Sequence, residues 1–332
     1  MVARFAERIK LTKVLVAEKH LRLVKTYTGR FGGAQVEALK DVTFSVENGE
    51  YVAIMGESGS GKTTTGKAIL QLAPVTEGSI IFDGEEIAGR KPKELHEFRK
   101  RAQMIYQDPY QALNPKQYIM DIVGEPLDVN NMCKTASERT ERIKAALENA
   151  GLIPAEDYLY RYPYELSGGQ RQRVAIAGSL IMNPEFIVAD EPVSMLDASI
   201  RTGIVKLMLE QRDKSGVAYL FITHDLSLAW LISDRIAIMY LGKIMEMGTA
   251  DEIINNAKHP YAKALLNIMP IPGKQIEGKR EILEGETPNA TANIHGCKFC
   301  SRCPMRQEIC EAKEPELKEI APGHVCACHF IE

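Results

Sequence analysis

Apolar residues in this chain fall in short runs, and the spacing within those runs changes along the sequence. VTFSV at residues 42–46 alternates apolar and polar positions, which is typical of a half-buried strand. Residues 23–46 as a whole predict an antiparallel β layer near the N-terminus. YVAIM at residues 51–55 is continuously apolar, and a glycine-rich stretch and a helical pattern over residues 63–72 follow it. This order predicts a strand, a loop and a helix.

Two later apolar runs extend the predicted sheet. FIVA at residues 186–189 and AYLFIT at residues 218–223 are continuously apolar and are separated by a helical stretch. Strands that are buried on both faces of a parallel sheet have this composition. Between the loop and these runs, residues 110–168 have a helical composition, and apolar residues recur at helix spacing over residues 134–152. The sequence therefore predicts an α/β fold with an inserted helical subdomain.

The composition changes near residue 248, after which proline and glycine become frequent and cysteines accumulate. A length of 332 residues fits one large core with smaller units attached. We predict an N-terminal extension over residues 1–20, a core over residues 21–248 and a small Cys-rich C-terminal module over residues 249–332.

Charge and hydropathy exclude several classes of protein. Lys and Arg (41) nearly balance Asp and Glu (44), and no stretch concentrates Lys or Arg without acidic residues nearby, which argues against a nucleic-acid partner. The apolar runs are far shorter than the roughly 20 residues that span a bilayer. Residues 1–13 carry charges throughout and no apolar segment typical of a secretory signal. The sequence thus predicts a cytoplasmic protein.

GESGSGKT at residues 56–63 fits the phosphate-loop pattern GxxxxGK[ST], with the expected strand before it and helix after it. Backbone N–H groups of such a loop surround phosphate oxygens, the lysine reaches the β and γ phosphates, and the hydroxyl after it binds Mg²⁺. The alternative is a glycine-rich turn that contains a lysine by chance, which the flanking elements disfavour. The predicted ATP-binding residues of this loop are Gly56, Ser58, Gly59, Ser60, Gly61, Lys62, Thr63 and Thr64.

FIVADEP at residues 186–192 is an apolar strand that ends in two acids. The carboxyl edge of a parallel sheet is where ligands bind in such folds. We expect Asp190 to hold Mg²⁺, together with Thr63, and Glu191 to be the base that polarises the attacking water. A solvated acidic turn is the alternative, and the phosphate loop upstream argues against it.

LSGGQ at residues 166–170 separates the chain from most phosphate-loop ATPases and GTPases, which lack it. Ser167 and Gly168 are expected to cap a helix that runs through Gly169 and Gln170 to about residue 182. A helix N-terminus with glycines that allow close approach is an anion site. Because one phosphate loop already serves the nucleotide of this chain, the second site is best explained by nucleotide bound to another subunit.

With these motifs the chain resembles an ABC-transporter nucleotide-binding subunit over about residues 21–248. The resemblance implies a P-loop ABC ATPase core and a head-to-tail dimer in which each ATP lies between one phosphate loop and the partner's LSGGQ signature. It also implies an aromatic residue that stacks on adenine. Tyr27 fits that role, although Phe31 and Tyr51 are close in sequence.

Three further positions match the motifs of this family. Gln107 in YQDPY resembles the Q-loop glutamine, which senses Mg²⁺ and the attacking water and faces the membrane partner. Asp197 in SMLD resembles the D-loop aspartate. His224 in FITHD resembles the switch histidine that contacts the γ-phosphate, so a role in catalysis is expected beside Glu191 and Gln107.

A narrower resemblance, to the dipeptide/oligopeptide importer ATPases, covers nearly the whole chain. It rests on residues 107–115, 190–201 and 259–266 and on the Cys-rich tail. It implies a second ATPase subunit (a heterodimer is favoured and a homodimer stays open), two transmembrane permease subunits, an extracytoplasmic substrate-binding protein and a peripheral position on the cytoplasmic face of the membrane. ATPases that serve oligosaccharide or nickel importers look similar.

A soluble ABC ATPase acting in DNA maintenance or on ribosomes is the alternative from another class. The sequence lacks the long coiled-coil insertion of the first group and the second ATPase core of the second group.

Six of the seven cysteines lie within the last 36 residues, a pattern that in a reducing compartment favours metal over disulfides. By resemblance to the importer family, the ligands of a [4Fe–4S] cluster would be Cys297, Cys303, Cys310 and Cys328. Cys300 completes a ferredoxin-like CxxCxxC spacing, and Cys326 is a further candidate. Zinc bound by four cysteines is the main rival, and unligated or disulfide-forming thiols are a third reading. We expect a structural role, with redox or metal sensing as the alternative.

Overall fold

The computed structural model describes residues 14–16, 23–28, 35–268, 285, 287–288 and 294–331. Its strands are β1 (Val14–Val16), β2 (Leu23–Thr28), β3 (Gln35–Val42), β4 (Phe44–Val46), β5 (Tyr51–Met55), β6 (Ile80–Phe82), β7 (Glu85–Glu86), β8 (Ala102–Ile105), β9 (Phe186–Asp190), β10 (Ala218–Thr223), β11 (Arg235–Tyr240), β12 (Lys243–Thr249), β13 (Lys318–Ala321) and β14 (His324–Cys326). Its helices are α1 (Lys62–Ile69), α2 (His96–Arg101), α3 (Pro109–Ala112), α4 (Ile119–Val129), α5 (Ala136–Asn149), α6 (Glu156–Leu159), α7 (Gly168–Leu180), α8 (Ala198–Ser215), α9 (Leu226–Ile232), α10 (Ala250–Asn256), α11 (Pro260–Ile268) and α12 (Glu308–Ala312).

A mixed sheet forms the centre of the described structure, with strand order β13-β14-β12-β11-β5-β10-β9-β8. The pairs from β11 through β5, β10 and β9 to β8 are parallel. Every residue of β5, β9 and β10 is buried, which agrees with their continuously apolar sequences. The α/β prediction is confirmed. Since the parallel strands point the same way, the loops after β5, β9 and β10 meet at one edge of the sheet.

The predicted antiparallel layer is present as two units, a sheet of order β4-β1-β6-β7 and the pair β2-β3. Strand β1 pairs antiparallel with both β4 and β6. It therefore belongs to this layer, although residues 14–16 fall inside the extension predicted over residues 1–20. The rest of that extension lies outside the described residues.

Helices α3 to α6 lie in the segment over about residues 110–168 that is predicted as a helical subdomain, and α7 begins at its end. Ile143 and Leu147 of α5 pack with Val123 and Leu127 of α4, and all four side chains are fully buried. Burying side chains of this size contributes about 1.5–3 kcal/mol each. Helix α5 begins where the hydroxyl of Thr135 accepts a hydrogen bond from the backbone N–H of Glu138. In the described part of the chain, no helix is long and apolar enough to cross a membrane.

The C-terminal segment continues the central sheet, whereas its sequence predicts a separate module. Strand β14 pairs antiparallel with β12, and the imidazole of His324 lies 2.7 Å from the carboxylate of Glu246. Both side chains are buried, and the same carboxylate accepts hydrogen bonds from the backbone N–H groups of Lys258 and His259. A buried carboxylate needs such partners, so this contact fixes the C-terminal strand to the sheet.

Candidate functional site

The glycine-rich loop joins β5 to α1 at the carboxyl edge of the sheet. Gly61 is the residue before α1 and has a φ of 101°, a left-handed conformation that glycine adopts without steric cost. A Cβ atom on Gly56 would lie 2.1 Å from the carbonyl oxygen of Met239, at the end of β11. The loop therefore rests directly on the backbone of the neighbouring strand.

Lys62 is held inside this loop. Its ammonium group donates hydrogen bonds to the carbonyl oxygens of Gly56 (2.8 Å) and Glu57 (2.9 Å). Burial lowers the pKa of Lys62, while the charges of Glu191, Asp190 and Glu57 oppose that effect. A cation placed among the N–H groups at the start of a helix makes this loop suitable for an anion such as phosphate.

Thr63 and Asp190 form the contact between the loop and the end of β9. The hydroxyl of Thr63 donates a hydrogen bond of 3.0 Å to the carboxylate of Asp190. Burial raises the pKa of Asp190; the bond from Thr63 lowers it, and the charge of Glu191 raises it again. A hydroxyl and a carboxylate at this distance are hard oxygen donors of the kind that Mg²⁺ prefers, so the pair fits that ion.

Glu191 lies between the two other predicted catalytic side chains. The amide of Gln107 donates a hydrogen bond of 2.9 Å to one carboxylate oxygen, and Nδ1 of His224 lies 3.2 Å from the other. Glu191 itself has a φ of 45°, and its N–H bonds to the carbonyl oxygen of Ile222 in β10. A left-handed conformation in a residue other than glycine costs about 1–3 kcal/mol and is typical of functional sites.

These groups surround one cavity of about 450 Å³. The predicted residues that line it are Gly56, Ser58, Gly59, Ser60, Gly61, Lys62, Thr63, Thr64, Gln107, Glu191 and His224. Asp190 lies buried behind Thr63. Tyr27, Asp197 and the signature residues do not line it. Of the aromatic candidates, Tyr27 is 43% exposed and Tyr51 is fully buried, while Phe31 lies outside the described residues.

The LSGGQ signature starts α7 as its sequence predicts. The hydroxyl of Ser167 accepts a hydrogen bond from the N–H of Gln170, whose side chain in turn accepts one from the N–H of Ser167. A Cβ atom on Gly169 would lie 2.5 Å from the side chain of Ile200, so the glycine lets α7 approach α8. Ser167 itself is exposed.

Five of the C-terminal cysteines line a second cavity, namely Cys297, Cys300, Cys303, Cys310 and Cys328. Cys326 is buried but does not line it. Burial raises the pKa of Cys297 to about 12, and the neighbouring cysteines contribute to the rise. All seven cysteines are free thiols. Within the described ranges, no group of three or more His, Cys, Asp or Glu side chains is arranged to hold a single metal ion.

Sequence reasoning missed Val36, Ala38 and Glu57, which also line the first cavity. Glu57 lies within the GESGSGKT motif, so its position was available from the sequence. Burial raises its pKa, but hydrogen bonds from Arg302 and Thr287 outweigh that effect, and the pKa lies below its usual value. No sequence signal connects Glu57 with Arg302, because 245 positions separate them.

Three features together define an ATP-binding cassette ATPase. They are a phosphate loop after the buried parallel strand β5, an acidic pair at the end of β9, which lies two strands away in the sheet, and an LSGGQ sequence with an exposed serine at the start of a helix outside the loop cavity. Comparisons with protein-family models agree with this class. Residues 39–194 match the model of the ABC transporter family. Residues 245–310 match the model described as the oligopeptide/dipeptide transporter C-terminal region.

Curated relatives resemble the chain over nearly its whole length. The oligopeptide transport ATP-binding protein AppF of Bacillus subtilis is 45% identical over 298 residues, covering 89% of this chain and 90% of that protein. OppF, an oligopeptide transport ATP-binding protein of the same organism, is 42% identical over 323 residues, covering 97% and 98%. The chain therefore belongs to the ABC transporter ATP-binding proteins of the oligopeptide transport family, and it is an ATPase.

Solved structures resemble the ATPase core. The dimeric structure of the ATP-binding cassette MJ0796 in a post-hydrolysis state, bound to ADP and Pi, has a TM-score of 0.64 and 31% sequence identity. The match covers 72% of this chain and 98% of the MJ0796 chain. CbiO1 of Clostridium perfringens, part of an ABC transporter complex, has a TM-score of 0.61 and 28% identity, covering 72% and 92%.

Proposed function

We propose that this chain hydrolyses ATP to drive the import of dipeptides or oligopeptides through a membrane permease. The observation that best supports ATP hydrolysis is the contact of Glu191 with both Gln107 and His224, all of which line the loop cavity. The cargo is supported by the names of the relatives AppF and OppF, both oligopeptide transport proteins. An oligosaccharide or nickel cargo and a soluble, non-transport ATPase are the alternatives.

In this proposal the loop holds the phosphates of ATP through its backbone N–H groups, and Lys62 reaches the β and γ phosphates from its position against the carbonyl oxygens of Gly56 and Glu57. Thr63, Asp190 and Gln107 hold Mg²⁺, which neutralises phosphate charge when it is bound. Glu191 accepts the proton of the attacking water. His224 contacts the γ-phosphate, and its distance of 3.2 Å from Glu191 supports a shared role of the two side chains in the reaction.

The signature residues Ser167, Gly168, Gly169 and Gln170, together with Asp197, serve the ATP of a second subunit in this proposal. Their position outside the loop cavity supports it, since a partner in a head-to-tail dimer brings its own cavity to them. The dimeric MJ0796 cassette supplies a precedent for such an assembly. Tyr27, exposed on β2, stacks on adenine. A related ATPase is the favoured partner, and a second copy of this chain is the alternative.

In this proposal the subunit is a peripheral protein on the cytoplasmic face of the membrane, where it contacts the permease. Gln107 begins the segment that precedes α3, and Tyr106 and Tyr110 on either side of it are exposed. In this proposal two transmembrane permease subunits dock near the segment, so that the motion of Gln107 on hydrolysis reaches them. The binding protein that delivers the peptide acts on the other side of the membrane, without contacting this chain.

Reconstitution tests the cargo. The chain is assembled in liposomes with its permease, partner ATPase and binding protein, and a mixture of short peptides, an oligosaccharide mixture and Ni²⁺ are offered separately. We expect ATP-dependent uptake of peptides alone, measured by mass spectrometry of the lumen. Vesicles supplied with a non-hydrolysable ATP analogue are the control. Uptake of the sugars or of nickel, with the peptides left outside, would reject the peptide assignment.

We further propose that the cysteine cavity holds a [4Fe–4S] cluster through Cys297, Cys303, Cys310 and Cys328. The lining of the cavity supports this assignment, because it includes all four of these cysteines and cysteine sulfurs are the ligands of such clusters. The backbone N–H of Cys297 bonds to the carbonyl oxygen of Cys310 at 2.7 Å, which holds two of the ligands together. A bound cluster would cross-link the residues between Cys297 and Cys328. Cys297, Cys300 and Cys310 also pack in a buried apolar cluster with residues of the central sheet.

Iron analysis tests this assignment. Cys297→Ser is expected to lose most of the bound iron and sulfide of anaerobically purified protein, together with its visible absorbance. Cys133→Ser is the matched control, because Cys133 lies in the helical subdomain, away from the cavity, and its iron content should equal that of the parent. Parent protein that contains stoichiometric zinc and no sulfide would overturn the cluster in favour of the alternative metal.

A further inference from the structure

Glu57, the second residue of the phosphate loop, is bound by the cysteine-rich segment. Both terminal nitrogens of Arg302 donate to its carboxylate, at 2.7 Å and 3.1 Å. Bidentate pairs of this kind are strong and fix the relative orientation of both groups. The side chain of Arg302 is 8% exposed and that of Glu57 is 27% exposed, so water screens the pair only in part. The hydroxyl of Thr287 also contacts both partners.

The backbone of Glu57 is held as firmly as its side chain. Its N–H donates to the hydroxyl of Tyr261 at 3.0 Å, and its carbonyl oxygen accepts from the ammonium of Lys62 at 2.9 Å. Arg302, Tyr261 and Thr287 all come from beyond residue 248, after the last strand of the ATPase core. The part of the loop that contacts Lys62 is thus fixed by the C-terminal segment.

Arg302 is itself placed by the packing around the cysteines. Its N–H bonds to the carbonyl oxygen of Phe299, in a 3₁₀ turn over Cys300–Arg302. Phe299 is fully buried, and its ring lies 5.4 Å from that of Tyr240 and 5.2 Å from that of Tyr261. A displacement of the cysteine segment would therefore move the guanidinium group away from Glu57.

We propose that Arg302 is a positioning residue for ATP binding: through Glu57 it holds the phosphate loop and Lys62 in their binding conformation, and it makes ATP affinity depend on the folded cysteine segment. The proposal rests on ATP binding at this loop. Because coupling between two sites is reciprocal, bound ATP stabilises the cysteine segment by the same free energy that the segment contributes to ATP binding.

The test compares the ATP affinity of variants in the assembled complex. Arg302→Met is expected to raise the Kd and KM for ATP about tenfold, while kcat at saturating ATP changes less than about twofold, since the side-chain partners of Glu191 are Gln107 and His224 and Arg302 bonds to Glu57 instead. Arg302→Lys should restore part of the affinity, because one ion-pair contact remains. Arg306→Met is the matched control, an exposed arginine of the same segment, and should leave both constants unchanged.

Glu57→Gln and the double variant separate positioning from general stability. If the pair acts as one unit, the double variant binds ATP no more weakly than either single variant. If the losses of ATP affinity in the two single variants add in the double variant, the proposal is overturned. It is also overturned if Arg302→Met melts at a lower temperature but keeps the Kd and KM of the parent. Should Arg302→Met fail to fold, Glu57→Gln decides: unchanged ATP affinity in that variant rejects the positioning role.

Discussion

Glu191→Gln is expected to slow ATP turnover by about 10²–10⁴-fold, the usual contribution of a general base, while ATP binding is retained. The amide keeps the size of the carboxylate and can still contact Gln107 and His224, but it cannot accept the proton of water. The phosphate loop and Lys62 are untouched, so the Kd for ATP should remain close to that of the parent. Phosphate release and nucleotide binding, measured on the same preparation, check both parts.

Trapping of the dimer is the second readout of this variant. With ATP bound and hydrolysis blocked, the two ATPase subunits should remain associated on a sizing column, whereas the parent dissociates as it turns over. Glu97→Gln makes the same chemical change on an exposed helix and should behave like the parent. Turnover by Glu191→Gln at the parent rate would remove Glu191 as the base.

Gly56→Ala is expected to destabilise the protein by roughly 3 kcal/mol, at the upper end of the cost of forcing extra atoms into a packed site. The added methyl group would lie 2.1 Å from the backbone oxygen of Met239, which cannot rotate away as a flexible side chain could. Either β11 or the loop must shift, and a shift of the loop also displaces Lys62 and weakens ATP binding. Denaturant unfolding and nucleotide titration measure the two effects.

Gly59→Ala is the matched control for this change, because it introduces the same methyl group in the same loop. Gly59 also has a positive φ, of 76°, but a Cβ atom there would meet nothing within 4 Å. Gly59→Ala should therefore lower the free energy of unfolding only by the conformational penalty of about 1–2 kcal/mol. If both variants lose the same free energy of unfolding, backbone strain, and not the contact with β11, makes glycine necessary at position 56.

The local parts of the site could be predicted because a short motif encodes them. GESGSGKT specifies a turn between a strand and a helix, and FIVADEP specifies a buried strand with acids at its end, so the positions of Lys62 and Asp190 follow from a few neighbouring residues. Parallel pairing then brings the ends of β5 and β9 to one edge. The meeting of Gln107, Glu191 and His224 was expected through family resemblance, since nothing in the spacing of those residues requires it.

The contacts that sequence reasoning missed are those between distant segments. Strand β1 is a run of only three residues, too short for a periodic signal, and its partners are fixed by the sheet that it completes. The pairing of Glu57 with Arg302 depends on how the C-terminal segment folds back over the core. Glu57 lies within GESGSGKT, and Arg302 lies between Cys300 and Cys303, but neither sequence pattern indicates that these two residues pair.

The pairing of β14 with β12 has a consequence for how the protein is made. Residue 247 leaves the ribosome long before residue 325, with which it pairs, so one edge of the central sheet stays open during the synthesis of nearly 80 further residues. Exposed edges of buried, apolar strands are sites of aggregation. A message truncated before the codon for His324 would yield an ATPase core with a permanently unpaired edge at β12, and we expect that product to aggregate more readily than the full chain.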